Sequence, residues 1–428
     1  MKKLLIRGGK KINGKIEISG AKNATLPIMV ASILTKGDLT LSNIPHVSDI
    51  STMANILISL GVELNLKSLD KNKGFEGKVI TLSGKNINNT EASYDLVSKM
   101  RASILILGPL LARFGKAHVS LPGGCAIGTR PVDLHLKALE KMGAEIKIAS
   151  GYVEGKVNGR LQGAEIDFDK ISVGATQNIL MAACLAEGTT IINNAAREPE
   201  IVDLARCLNK MGAKISGAGT SRINVEGVAE LNGATHHILG DRIEAGTYAV
   251  AAAITDGDLI MKGVNLDLFT GIHDELKHAG VKIVSIDENS VRVTRGKKEI
   301  VATNMATKEF PGFPTDMQAQ FMALMTIANG QSLIKENIFE NRFMHVMELV
   351  RMGARISYEG NEAIVTGVKE LSGAEVMATD LRASASLILC GLIAKGETII
   401  NRVYHLERGY ERLAEKLKLC GADIEVLY

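Results

Sequence analysis

Residues 164–227 read AEIDFDKISVGATQNILMAACLAEGTTIINNAAREPEIVDLARCLNKMGAKISGAGTSRINVEG, and this stretch decides the fold. AEIDFDK (164–170) has the alternation of a strand, and VGATQNILMAACLAEG (173–188) is an apolar helical run. TTIINNAA predicts a second strand, and EIVDLARCLNKMG (200–212) an amphipathic helix. AKISGAG and RINVEG then predict two short strands, which makes the order βαβαββ.

The same unit recurs along the chain. Its closing helix-to-strand step reads SLGVELNL (Gly61), KMGAEIKI (Gly143), KMGAKISG (Gly212), HAGVKIVS (Gly280), RMGARISY (Gly353) and LCGADIEV (Gly421). A second glycine precedes each: Gly37, Gly115, Gly188, Gly257, Gly330 and Gly396. Both sets predict helix C-caps, where the backbone needs positive φ. Six copies predict two domains of three units. In each unit one helix, such as TYAVAAAITDG (247–257), is apolar nearly all round and so is expected inside, with sheets outside. The sixth unit ends at ADIEVLY without a last strand, and LLIRG (4–8) is expected to supply it. The chain then crosses between domains near residues 21 and 240. This gives a first domain of 22–239, a second of 1–21 with 240–428, and a cleft between them as the expected site.

Composition narrows the function. Lys and Arg number 50 against 47 Asp and Glu, a net charge of +3, which argues against nucleic-acid binding. MKKLLIRGGKK has too short an apolar core for a signal peptide, and no run has membrane-spanning length, so a cytoplasmic protein is expected. The five cysteines and nine histidines show no disulfide framework and no metal spacing. No metal or cofactor is expected. His236, His237, His273 and His278 read as surface residues.

Counting back 14 residues from each glycine of the second set reaches Asn23, Arg101, Gly174, Ile243, Asp316 and Arg382. Lys22 and Arg242 are adjacent. Charges at the start of an apolar helix need a reason. Helix starts with cations beside them make anion sites, although capping and ion pairing account for such charges as well. SLPGGCAIGTRPVD (120–133) interrupts the second unit as a candidate lid. Its Cys125 is the cysteine outside any apolar pattern, and Arg130 would favour its thiolate, though an incidental surface cysteine fits too. EFPGFPTDMQAQ (309–320) sets Asp316 at a helix start, and FENRFMH and HLERGYERL set Arg342 and Arg408 ahead of outer helices. A surface salt bridge is the ordinary alternative for either arginine.

GAKNA (20–24), LPGGCAIGTRPVDLH (121–135), NAAREPEIVDLA (194–205), FPTDMQAQ (313–320), FENRFMHV (339–346) and TDLRASASL (379–387) together resemble the UDP-N-acetylglucosamine 1-carboxyvinyltransferase family. These are enolpyruvyl transferases that open peptidoglycan synthesis. The resemblance runs over essentially the whole chain. It implies an inside-out α/β barrel of two pseudo-threefold domains, and a role in cell-wall biogenesis, cell shape and cell division. It implies addition and elimination between phosphoenolpyruvate and the 3-hydroxyl of UDP-N-acetylglucosamine, with loss of phosphate. By resemblance Cys125 supplies the proton to C3 and Asp316 is the base. Lys22, Arg130 and Arg408 clamp phosphate and carboxylate, with Arg342 and Arg382 lining the same site. Also by resemblance, Asn23, Arg101, Arg130, Pro131, Val132, Asp133, Leu134, Lys170, Ser172, Val173, Gly174, Asp316 and Ile338 contact the nucleotide sugar. Departures are Leu406 and Glu407 where Ile and Asp are frequent, and Gly240 where Pro is common. A cysteine at 125 predicts inactivation by fosfomycin, which full activity after long exposure would refute. The rival readings are 5-enolpyruvylshikimate-3-phosphate synthase, RNA 3′-terminal phosphate cyclase and a non-enzymatic scaffold.

Overall fold

The computed structural model describes residues 2–67, 78–123, 132–296 and 299–428. They form two units. The amino-terminal unit takes the described residues of 20–239, and the carboxy-terminal unit takes 2–19 with 240–428. The amino-side boundary lies at 19/20, two residues before the expected 21/22. Ala21 N–H donates to Leu239 O at 2.8 Å, which ties it to the amino-terminal unit.

Each unit holds three four-stranded sheets, and each sheet follows the predicted order. In the stretch quoted above, Glu165–Asp167 runs parallel to Thr189–Asn193, followed by antiparallel Arg222–Glu226 and Lys214–Ser216. Lys3–Arg7 lies between Glu397–Asn401 and Asp423–Leu427, antiparallel to both. The first strand of the chain thus completes the last unit. At the two crossings the leading strands are taken from far along the chain. Asn13–Glu17 pairs in parallel with Asp258–Lys262, and Ala234–His237 with Asp38–Ile44.

The cores follow the apolar helices. In the carboxy-terminal unit Arg242–Ile254, Gln318–Met325 and Leu381–Gly391 pack on one another. All 13 residues of the first are buried, although it carries Arg242 and Glu244. In the amino-terminal unit Lys22–Val30 meets the 3₁₀ turn Arg101–Ile106, which leads into Leu107–Phe114, and that helix packs on Val173–Ala183. Strands around them alternate, with one face buried and the other exposed, as in Thr189–Asn193. Cys184, Cys207, Cys390 and Cys420 are buried, and desolvation raises all four thiols, the first three to about 12. Among the described residues no helix is long and apolar enough to cross a membrane.

The closing glycines behave as one set: Gly61, Gly143, Gly212, Gly280, Gly353 and Gly421 have φ between 91° and 102°. In the other set Gly37 and Gly257 differ from expectation, because their φ is not positive. Close backbone approach explains these two. A Cβ on Gly257 would lie 2.1 Å from Ile12 O, and one on Gly37 would lie 2.4 Å from Gly233 N. Ile12 and Gly233 belong to the segments that bring in the distant leading strands.

A buried ion pair, unforeseen in the sequence, holds the carboxy-terminal unit at its crossing. Lys416 Nζ and Glu244 Oε1 are 2.7 Å apart, with side chains 1% and 2% exposed. Glu244 also accepts from Ser19 N–H at 2.8 Å, and Lys416 donates to Glu17 O at 2.9 Å. Burial raises the Glu244 pKa and Lys416 pulls it back. In the amino-terminal unit Asp203 does similar work. It faces His236 Nε2 at 3.0 Å and accepts from Leu239 N–H at 3.3 Å. His236 is therefore a core residue, against the surface reading, since its Asp203 partner satisfies it inside.

Candidate active site

All six counted positions stand in the opening turn of an inner helix or of the 3₁₀ turn leading into one. In the carboxy-terminal unit, Pro314 precedes the turn Thr315–Met317, and Asp316 projects from it. Its carboxylate accepts from two guanidiniums, Arg342 Nη2 at 2.7 Å and Arg382 Nη2 at 2.9 Å. Both arginine side chains are buried, at 4% and 6% exposure, whereas Asp316 keeps 28%. The alternative of a surface salt bridge does not hold for Arg342, whose ion pair is made by a buried guanidinium. Burial works against the charge on Arg382, but Asp316 beside it outweighs that and raises its pKa above the ordinary value. Aromatic rings complete the seats, with Arg342 over Phe339 at 5.6 Å and Arg382 over Tyr410 at 5.4 Å. Gln320 Nε2 donates to Asp316 O at 2.9 Å and to the Tyr410 hydroxyl at 3.1 Å.

Asp380 stands at the start of the neighbouring inner helix. It caps Leu381–Gly391 by accepting from Arg382 N–H and Ala383 N–H. His405 is lowered by burial, raised by Asp380 and lowered by Arg408 and Arg402, so these charges lie within reach of one ring. Arg408 ends the turn Val403–Arg408, which packs on the Leu381–Gly391 helix. Arg402 and Arg412, on either side, have φ of 57° and 50°, a strained setting for arginine. His345 is buried, and desolvation lowers it to about 4, with Asp380 opposing and Arg342 assisting. It is therefore neutral at pH 7. Ile338 heads the turn before Arg342, where its N–H donates to Glu336 Oε1 at 2.8 Å.

The amino-terminal unit gathers a second set. Lys22 opens its helix and pairs with Asp49 in the first turn of Ser48–Leu60, Nζ to Oδ2 3.1 Å. Gln177 Nε2 donates to Asn23 O at 3.5 Å, joining two helix starts. Ser172 caps Val173–Ala183 by accepting from Ala175 N–H at 3.2 Å, with Lys170 exposed just ahead. Val132 and Asp133 begin the helix Asp133–Lys141, and Val132 and Leu134 pack against the core. His135, one residue on, links these pieces. Asn178 Nδ2 donates to its Nδ1 at 2.9 Å, and a Cβ on Gly174 would lie 3.3 Å from its Cε1. Burial first, and Arg101 second, lower His135 to about 4. The sequence reading assigned His135 and His345 no part. A histidine inside each motif, at the end of 121–135 and near the end of 339–346, was the available signal.

Thus Asp316, Arg342 and Arg382 come together in one unit, with Arg408 on a turn packed against the helix of Arg382, and Asn23, Arg101, Val132, Asp133, Leu134, Ser172, Val173 and Gly174 stand around helix starts in the other. Cys125, Arg130 and Pro131 lie outside the described residues. Among the described residues no group of three His, Cys, Asp or Glu side chains is placed to hold a metal ion.

Residues 6–417 match the family model described as EPSP synthase (3-phosphoshikimate 1-carboxyvinyltransferase). The UDP-N-acetylglucosamine 1-carboxyvinyltransferase of Paramagnetospirillum magneticum is 58% identical over 427 residues, covering 100% of this chain and 99% of that protein. The enzyme of the same name from Dinoroseobacter shibae is 57% identical, with 99% of each covered. Among solved structures, the enolpyruvyl transferase NikO from Streptomyces tendae has a TM-score of 0.88 at 24% identity, covering 99% of this chain and 98% of that one. EPSP synthase from Acinetobacter baumannii has a TM-score of 0.77 at 20% identity, with both chains fully covered. These two share the fold, the inside-out α/β barrel of sheets around inner helices. By sequence over its full length, the chain belongs to the UDP-N-acetylglucosamine 1-carboxyvinyltransferase family of enolpyruvyl transferases.

Proposed function

We propose that the chain transfers the enolpyruvyl group of phosphoenolpyruvate to the 3-hydroxyl of UDP-N-acetylglucosamine and releases phosphate. The observation that carries this reading is Asp316, an inner-helix-start carboxylate held by Arg342 and Arg382 in a chain 58% identical to an enzyme of that name. In the addition step Asp316 takes the proton of the 3-hydroxyl as its oxygen bonds to C2, and Cys125 supplies a proton to C3. In the elimination step C3 returns a proton to the Cys125 thiolate, the double bond re-forms, the C2–O bond to phosphate breaks, and the proton held by Asp316 leaves with the phosphate. Fixed cations at Lys22, Arg130, Arg342, Arg382 and Arg408 hold the donor's charges through both steps. Helix starts at Asn23 and Ser172–Gly174, with Arg101, Arg130–Leu134, Lys170 and Ile338, take the nucleotide sugar. A site in the cleft between the two domains and a cytoplasmic location go with this reading.

Phosphate release from phosphoenolpyruvate tests it, with UDP-N-acetylglucosamine, with shikimate 3-phosphate and with neither. The native chain is expected to require the nucleotide sugar, and Cys125→Ala to collapse release. Release supported by shikimate 3-phosphate instead would move the chain to the other acceptor. Survival of activity in Cys125→Ala would remove the thiol from the acid role.

A further inference from the structure

Glu336 is 2% exposed, and its own carboxylate has been given no role so far. Its carboxylate accepts four hydrogen bonds. Oε1 takes the Thr307 hydroxyl at 2.9 Å, Ile338 N–H at 2.8 Å and Phe339 N–H at 3.2 Å. Oε2 takes the Thr315 hydroxyl at 2.9 Å. All four donors are neutral. Burying a carboxylate costs several kcal/mol unless its lone pairs are filled, so this set is a built feature and not an accident of packing.

Position gives the carboxylate its meaning. Thr307 and Thr315 are the two ends of the loop that carries residues 308–314, and Glu336 clasps both. Thr315 is the neighbour of Asp316 and opens the turn from which Asp316 projects. On the other side, Ile338 and Phe339 begin the segment that delivers Arg342, and the Phe339 ring lies 5.6 Å from that guanidinium. A single buried group therefore sets the backbone on both sides of the Asp316–Arg342 contact. Near a reacting atom, errors of about 1 Å cost about 10²-fold in rate. Supporting hydrogen bonds of this kind fix the geometry of groups that touch substrate.

We infer that Glu336 is a positioning residue: through Thr315 it aims the Asp316 carboxylate, and through the 338–339 amides it sets Arg342 against it. The inference rests on the transferase reading, which the wild-type control tests separately.

Thr315→Val removes the Oε2 contact and leaves the Oε1 set in place, and Thr315→Ser keeps a hydroxyl. Steady-state phosphate release is compared for wild type and both variants, with thermal unfolding of each. Thr315→Val is expected to lower kcat about tenfold with KM for phosphoenolpyruvate changed less than about twofold, and Thr315→Ser to recover most of the loss. Glu336→Gln, which keeps the Oε1 acceptor, is expected to retain more activity than Glu336→Ala. The inference is overturned if wild type is active and Thr315→Val, folded, keeps kcat within about twofold. It is equally overturned if Thr315→Ser fails to recover activity although its unfolding temperature matches wild type. Absence of release in wild type would instead remove the transferase reading itself.

Discussion

The cluster around Asp316 and the cluster around His135 both gather at helix starts, one in each unit, and handle charge in opposite ways. Around Asp316, one carboxylate satisfies two buried arginines, so the cations are fixed before any ligand arrives. Around His135, the ring is neutral and a bare glycine, Gly174, opens the helix beside it. Lys22 finds its partner on a different helix, at Asp49. The same βαβαββ scaffold thus makes a rigid acid–arginine centre in one unit and an open seat of helix starts in the other. Repetition sets where a helix begins. The side chain at that position decides whether the place carries an ion pair or a bare glycine.

The comparison breaks most visibly at Asp316. Asp316→Asn is expected to lower kcat by about 10²-fold or more, the usual range for loss of a general base. Calorimetry is expected to find nucleotide-sugar binding weakened far less than turnover. Equal loss of both would make Asp316 a binding residue and erase the contrast with the other unit.

The next effect concerns stability. Lys416→Met leaves the Glu244 carboxylate buried without its cation, at a cost of about 3 to 5 kcal/mol in urea unfolding. Replacing both residues with apolar ones is expected to restore much of that. A single-variant loss under about 1 kcal/mol would show that this pair does not hold the crossing strand.

The smallest effect is a shared one. His135 and His345 each stand beside an arginine of their own cluster, and both are lowered from 6.5 to about 4. The unfolded chain binds protons at these rings below about pH 6.5 while the native state does not. Stability is therefore full above 6.5 and falls as the pH drops towards 4. The gap corresponds to about 3 kcal/mol for each ring at most. His135→Gln is expected to flatten the acid slope of the melting temperature by about half of what the double His135→Gln, His345→Gln variant achieves. An unchanged slope in the double variant would mean that neither ring is held neutral.

Much of this was legible in the chain. Local signals carry the repeat: the period switches from 2 to 3.6, and a glycine of positive φ closes the second helix of every unit. Counting from the glycines that follow the inner helices found Asp316 and Arg382, because in every unit the inner helix, or the 3₁₀ turn leading into it, begins about the same distance ahead of its glycine. The closing strand was also readable, since a strand-like LLIRG without a unit met a unit without a strand. Glu244 was not, because a single acid in an apolar helix looks like a tolerated exception until Lys416, 172 residues away, is seen against it. His236 looked like surface for the same reason, as its Asp203 partner is 33 residues away. Gly37 and Gly257 were assigned caps because sequence reveals a glycine but not what approaches it.

The sequence by itself determined the repeat, the inner helices and the residues at their starts, all of which depend on neighbours a few positions apart, and the repeat count in turn showed which strand closes the last unit. Only the tertiary structure decided which charges meet. Arg342 was nominated with no partner, and Glu336 passed unremarked. Pairing inside a protein depends on which side chains lose water together, and that is settled by packing between segments far apart in the chain.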